Sequence, residues 1–502
     1  MSLDILFVNP DGLDKVYGEL SKSIMTVEPP LWCMMLSKSM LSRGFSTKIV
    51  DCIVDRISNK DLTKLVEELN PKIVVMVAYG QHPSASTHTV YGAGLSSKVI
   101  KENNPVRKIA ILGGHVSALP EKTLTEEGVD FVIKGEGVYT LDQLLKTDLE
   151  SVSQLSLVEG LYFERENKIL KGPVPKMIPQ ERMDIDYPGL DFREIDFHKY
   201  RAPNWFLFGD LENRGTYASI YTTLGCPFKC SFCCINAPFG QRAYRHWSVD
   251  LIMDQFEHFY QAGVKNVKIA DELFVLKESF FLEVCDRLAA KNYNFNIWAF
   301  SRVDSFKKEH LSRIKAAGIN WLILGIETYN EDVRSAVEKG NFTRDDIVNS
   351  IKMIQDAGIF VHANFMFGLP DDSLEIMQEN LNFSMDLNVE TANFYCSMPY
   401  PGSSLYEKAL QDKVLMPENW LAYSQHGEDT IPLPTKTLTG AEVLTFRDQA
   451  WKIYHKNPKY LEYINNRFGP ETREYIESIV DIPLKRKHFV NKELAKAYYE
   501  NQ

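Results

Sequence analysis

Residues 223–234 read Thr-Leu-Gly-Cys-Pro-Phe-Lys-Cys-Ser-Phe-Cys-Cys, placing Cys226, Cys230 and Cys233 at spacing C-x3-C-x2-C directly behind the apolar run Ala218–Thr222. Such spacing lets one loop present three thiolates to one inorganic centre. A [4Fe-4S] cluster held wholly by protein takes one cysteine per iron, so three ligands leave one iron open for chemistry. Gly225 supplies the tight turn, and Pro227 restricts the loop. Structural zinc is the competing reading, but such sites pair C-x2-C groups on separate turns, and no second C-x2-C or H-x3-H lies downstream. Cys234 is read as a neighbour and not a ligand. Cys33, Cys52, Cys285 and Cys396 are scattered through apolar surroundings. That is the distribution of a metal site in a reducing compartment, not of a disulfide framework.

The cysteine loop opens a strand-helix alternation. Ala218–Thr222, Val267–Ile269, Asn296–Phe300, Trp321–Leu324, Val361–Met366 and Thr391–Cys396 read as strands, with amphipathic helices centred near Phe256, Glu283, Ile314, Ile351 and Met377. Six β/α units suit an open or partial barrel, whose functional groups come from strand ends. Upstream, Asp4–Asn9, Ser46–Asp51, Ile73–Ala78, Lys108–Leu112 and Phe131–Ile133 read as strands built on β-branched runs, each with a helical segment behind it. This pattern predicts a parallel sheet covered on both faces, a doubly wound domain of flavodoxin-like type. The expected α/β organisation is thus a doubly wound domain over 1–148, an irregular proline-broken linker over 149–212, a partial (β/α)6 barrel over 213–425 and a small helical region over 426–502.

A net charge of −11 over 502 residues argues against a broad phosphate-binding surface, and so against nucleic acid as partner. No apolar run reaches the length of a membrane span. The start, MSLDILFVNP, has no basic region ahead of its apolar run, so no signal peptide is expected and the cytoplasm is the expected location.

The cysteine spacing, with aromatic Phe232 before the last cysteine, resembles the signature of the radical S-adenosylmethionine (SAM) superfamily. That resemblance implies a cluster whose open iron binds SAM and cleaves it to a 5′-deoxyadenosyl radical. Further segments resemble the family in order. Ala270-Asp271-Glu272 ends the second strand, where the family contacts the cofactor's amino group. Ser301-Arg302 closes the third, near the carboxylate or ribose. Gly325-Ile-Glu327-Thr stands at the fourth, Phe367-Gly368-Leu-Pro370 at the fifth, and Pro401-Gly-Ser-Ser-Leu-Tyr follows the sixth. Each is weak alone: strand-end acids are ordinarily solvated, and Gly368 and Pro370 are common turn residues.

Upstream, Gly113-Gly114-His115-Val-Ser-Ala-Leu-Pro and Lys134-Gly135-Glu136-Gly137-Val-Tyr-Thr-Leu resemble the B12-binding domain that precedes the barrel in one branch of the superfamily. Asn9, Tyr79, Gly80, Gln81 and His82 stand at the other strand ends expected to face cobalamin. There is no G-x-G-x-x-G behind the first strand, no Walker-type loop and no D-x-H-x2-G. Cobalamin is therefore expected without that motif's axial histidine, although His82 and His115 lie on ligand-facing loops. The resemblance implies a methyltransferase acting on an unactivated carbon or phosphorus centre of a small molecule or peptide, reduced by a flavodoxin or ferredoxin. The alternatives are a cobalamin-dependent radical cyclase or rearrangement enzyme and, from another class, a cobalamin or redox sensor. Methylthiotransfer is disfavoured, since it asks for a second cluster and residues 1–150 hold only Cys33 and Cys52.

Overall fold

Apolar runs without polar alternation build the first sheet, because both of its faces are covered. The computed structural model describes residues 3–18, 20, 26–80 and 82–497. Strands β1 (Ile5–Asn9), β2 (Thr47–Asp51), β3 (Ile73–Val77), β4 (Ile109–Leu112) and β5 (Phe131–Ile133) pair in parallel in the order β2-β1-β3-β4-β5. Successive side chains enter opposite cores. Ile5, Phe7 and Val75 pack with helices Leu31–Ser42 and Val138–Leu145, while Leu6, Val8 and Val74 pack with Asn59–Leu69 and Ala85–Asn103. Chain order reverses between β1 and β3, the place where doubly wound sheets bind ligands.

The stretch expected to be irregular carries a hairpin instead. β6 (Leu161–Arg165) and β7 (Lys168–Lys171) are antiparallel, and β6 extends the first sheet beside β5. Glu166 and Asn167 turn it with φ of 50° and 59°, as a two-residue hairpin of this twist requires. The prolines that suggested irregularity begin only at Pro173. Charged residues in both strands, and the exposure of β7, hide them from a search for apolar runs.

The second sheet holds β8 (Tyr217–Ile220), β11 (Asn266–Ile269), β12 (Asn296–Ser301), β13 (Ile319–Glu327), β14 (Phe360–Phe367) and β15 (Thr391–Cys396), parallel and in chain order. A small antiparallel pair, β9 (Thr223–Leu224) with β10 (Arg245–His246), closes the cysteine-bearing loop. Phe206 stacks on Trp298 at 4.8 Å and accepts from Asn296 Nδ2 through its carbonyl, plugging the end of the barrel where the strands begin. Helices Gly440–His455, Pro458–Phe468 and Pro470–Val480 follow. Among the described residues no helix is long and apolar enough to cross a membrane.

Candidate functional site

The cysteine loop is fixed at its root by a carboxylate. Asp271, fully buried behind β11, accepts from Thr222 N (2.6 Å), Thr223 N (3.0 Å) and Thr222 Oγ1 (2.5 Å). Asp271 was expected to meet the cofactor; its oxygens are instead taken up by the loop entrance. Gly225 follows with φ +84°, and a Cβ there would lie 2.5 Å from Ala243 O, where the outgoing and returning chains cross. Cys226 and Cys230 are half-buried, Cys233 exposed and Cys234 buried. Phe232 packs among Val333, Val337 and Leu369. Among the described residues no three Cys, His, Asp or Glu side chains converge to hold a single ion. A cubane takes one thiolate per iron, and Cys226, Cys230 and Cys233 on one loop match that donor set.

The other strand ends gather round this loop. The Arg302 guanidinium lies 3.9 Å over the Phe228 ring and is held by both oxygens of Asp304 at 2.8 and 2.9 Å. Ser301 Oγ meets Ser305 Oγ at 3.1 Å. Glu327 sits at a bulge between β13 and β14 with φ +65°, and its Oε1 lies 2.8 Å from Lys339 Nζ. A Cβ on Gly325 would stand 2.6 Å from both of those atoms, so glycine leaves the pair its room. Gly368 and Pro370 serve a different contact from the expected one. A Cβ on Gly368 would run into Val443 of the Gly440–His455 helix, and Pro370 O accepts from Lys436 N at 3.2 Å. They seat the carboxyl-terminal region.

Between the two sets of strand ends lie two adjoining cavities. The larger, about 870 Å³ including the part open to solvent, occupies the switch point between β1 and β3, beside Asn9, Gly12, Tyr79, Gly80, Glu28 and His88. The smaller, about 440 Å³ on the same measure, sets Gly80, His82 and Gly114 of the first domain against Gly225, Cys234 and Glu272 of the second. Trp32, Tyr79, Gly80 and Tyr221 border both. Trp32 lies flat on Tyr79, centroids 3.7 Å apart at 4°. The Tyr79 hydroxyl is buried without a hydrogen-bond partner among the described residues. That is a cost a folded protein ordinarily avoids unless a ligand completes the site. Burial pushes the Glu272 carboxyl up to about 8, against the pull of Lys268.

Several first-domain residues do other work than expected. His115 is buried with its ring 4.3 Å from that of Trp420, away from both cavities, and burial lowers its imidazole to about 3. Glu136 pairs with Arg245 on β10 and accepts from Ile178 N, so Gly135-Glu136-Gly137 is a junction between domains. A glycine-rich strand end looks alike in either role. Gly113 has extended backbone whose missing Cβ would strike Ala78 O, so it serves strand packing. Gln81 lies outside the described residues. Trp32, Tyr221, His88 and Lys339 carried no expectation.

The profile of the Radical SAM superfamily matches residues 220–384, and that of the B12 binding domain matches residues 21–145. The chain is 26% identical over 444 residues to an uncharacterised methyltransferase of Pyrococcus horikoshii, across 88% of this chain and 91% of that one. It is 26% identical over 450 residues to the anaerobic magnesium-protoporphyrin IX monomethyl ester cyclase of Cereibacter sphaeroides, across 88% and 68%. Its fold resembles that of TsrM, a radical S-adenosylmethionine methyltransferase from Kitasatospora setae solved with cobalamin and a [4Fe-4S] cluster. The TM-score is 0.64 at 18% identity, over 83% of this chain and 80% of that one. Two matching profiles, in the order of the two domains whose strand ends meet at these cavities, establish that the chain belongs to the radical SAM superfamily, in the branch that sets a B12-binding domain ahead of the barrel.

Proposed function

We propose that this chain is a cobalamin-dependent radical SAM methyltransferase acting on an unactivated carbon or phosphorus centre. The carrying observation is the smaller cavity, which sets cysteine-loop residues Gly225 and Cys234, with Glu272, against Gly80, His82 and Gly114. When bound, the cluster, SAM and cobalamin would supply a hydrogen-abstracting radical and a methyl donor. The protein's task is then placement and exclusion of water. Cys226, Cys230 and Cys233 hold the cluster; Phe232 and Asp271 fix their loop; Glu272 meets the SAM ammonium. Tyr79, Gly80, His82, Gly114 and Asn9 border cobalamin. Residues 1–148, with the β6–β7 hairpin added to their sheet, form the cobalamin domain, and 213–425 the barrel.

Inside the barrel, half-buried Asn364 and Asn393 lie in register across β14 and β15, with half-buried Tyr395 two residues beyond Asn393 on the same face. Asn393 Nδ2 donates to Tyr395 OH at 2.8 Å, and Asn364 Oδ1 accepts from His362. These uncharged groups suit a hydrogen-bonding small-molecule or peptide substrate. A flavodoxin or ferredoxin in a reducing cytoplasm is the electron donor this chemistry requires.

The cyclase relative keeps a second reading open, in which the substrate radical closes a ring without receiving a methyl group. Anaerobic reconstitution with iron, sulfide and hydroxocobalamin tests the common part. Near four irons and one cobalt per chain, with iron lost in Cys230→Ala, is the expected outcome. Iron without cobalt overturns the methyltransferase. S-adenosylhomocysteine formed alongside 5′-deoxyadenosine marks methyl transfer, and 5′-deoxyadenosine alone marks the cyclase.

A further inference from the structure

The segment Val337–Gly340 forms an unexpected wall of the cysteine loop. Val337 O accepts from Ser231 N at 3.0 Å, and Glu338 pairs with Lys229. Lys339 Nζ stands 5.9 Å from the centre of the Phe232 ring. At Gly340 a Cβ would lie 2.6 Å from Arg302 Nη2, so the chain here also makes room for the guanidinium that covers Phe228. Two cations, Lys339 at 9% exposure and Arg302 at 6%, therefore flank the loop that carries Cys226, Cys230 and Cys233.

Arg302 is matched at once by bidentate Asp304. Lys339 is matched by Glu327, whose position is costly: a non-glycine residue at φ +65°, set in a bulge, with a glycine two residues earlier to clear space. A buried ion pair is by itself a weak stabiliser, and apolar residues of similar size ordinarily serve as well. Its retention beside the thiols calls for an electrostatic purpose. Burial works against the charge on Lys339, and Glu327, then Cys230, work in its favour.

We propose that Lys339, balanced by Glu327, sets the reduction potential of the cluster. This rests on the assignment of Cys226, Cys230 and Cys233 as its ligands. A cation near an iron–sulfur cluster in a poorly polarisable interior favours the state carrying one more electron, and net charge is among the levers on such potentials. Lys339 eases reduction, and Glu327 limits how far. Both act through the cluster as positioning charges and neither ligates it.

The two removals must then act in opposite directions. The test is an EPR-monitored reductive titration of the reconstituted full chain, without SAM, for wild type, Lys339→Gln and Glu327→Gln, with iron counted in each. A more negative potential in Lys339→Gln and a less negative one in Glu327→Gln is the expected result. Loss of packing alone would not reverse sign between the partners. Shifts of the same sign, or none, at wild-type iron content overturn the proposal. If Lys339→Gln fails to take up iron, Glu327→Gln decides alone: a less negative potential supports the proposal and any other result overturns it. Loss of iron in both variants shows the pair to be a scaffold and overturns it as well. A wild-type protein that takes up no iron refutes the ligand assignment itself, which is a separate failure.

Discussion

Glu136, in the turn after β5, and Arg245, on β10, form a buried ion pair between the two domains, with Arg245 Nη2 2.8 Å from Glu136 Oε1 and side-chain exposures of 3% and 4%. Glu136 Oε2 also accepts from Ile178 N at 2.7 Å, and Arg245 Nη1 donates to Ile178 O at 2.7 Å. One carboxylate thus ties together the first sheet, the connecting segment and the return strand of the cysteine loop. Glu136→Gln leaves a buried guanidinium without its counter-charge and should cost about 3–5 kcal/mol of stability. Glu136→Met with Arg245→Met should recover much of that. Thermal unfolding followed by circular dichroism checks both, and a double variant no better than the single one refutes the account.

The Tyr79 hydroxyl, without a hydrogen-bond partner among the described residues, predicts effects of opposite sign in the empty and loaded protein. An unsatisfied buried donor costs about 1–3 kcal/mol, so Tyr79→Phe should raise the melting temperature of the cofactor-free protein by a few degrees. If cobalamin completes that hydrogen bond, the same change should weaken hydroxocobalamin binding about fivefold, corresponding to about 1 kcal/mol. Equilibrium dialysis reads the second effect. Unchanged affinity would mean that the hydroxyl serves another ligand.

Both sheets were legible because their strands are mostly apolar and covered on both sides. Five of the first domain and six of the second stand within a few residues of where the runs of Val, Ile and Phe put them. The β6–β7 hairpin was not, since its strands, Leu161–Arg165 and Lys168–Lys171, carry charged residues and the second lies largely exposed at the sheet edge. The site divides along the same line. Cys226, Cys230 and Cys233 lie within eight residues and declare themselves. Gly135-Glu136-Gly137 looked like a cofactor cradle because its true partner, Arg245, lies 109 residues away from Glu136. Lys339 stands in Glu338-Lys339-Gly340, which reads as a solvated turn. Only tertiary packing buries it against Glu327.

Asp372 should leave a signature in the pH dependence of stability. It is 3% exposed, accepts from Leu369 N at 3.0 Å, and burial pushes its carboxyl up to about 7. An unfolded aspartate titrates near 4. From about pH 4 upward the unfolded chain gives up this proton while the folded one keeps it, up to about 7. Stability therefore falls across that window and is level above it. Asp372→Asn keeps an acceptor and lacks the titration. Its melting temperature should match wild type near pH 4, exceed it increasingly toward neutrality, and keep a constant lead beyond. Asp51 and Asp271, pushed up to about 6 by burial, contribute equally to both proteins, so the difference isolates Asp372. Parallel melting curves would refute the shift.

Gly113 separates two explanations of one glycine. If it gave a corrin ring close access to the backbone, Gly113→Ala would weaken cobalamin binding and spare the fold. Its missing Cβ would instead strike Ala78 O, at the ends of β4 and β3, where Ala78 N donates to Leu112 O at 2.8 Å. Gly114, next in sequence, borders the smaller cavity, where a Cβ would meet nothing nearer than Ser86 at 3.6 Å. Overpacking against a backbone carbonyl costs about 1–3 kcal/mol. Gly113→Ala should accordingly lower the melting temperature of the cofactor-free protein, while Gly114→Ala should leave it nearly unchanged and weaken hydroxocobalamin binding. The two alanine variants differ by one position and should fail different assays. A stable Gly113→Ala protein with impaired cobalamin binding would return this glycine to the cofactor site.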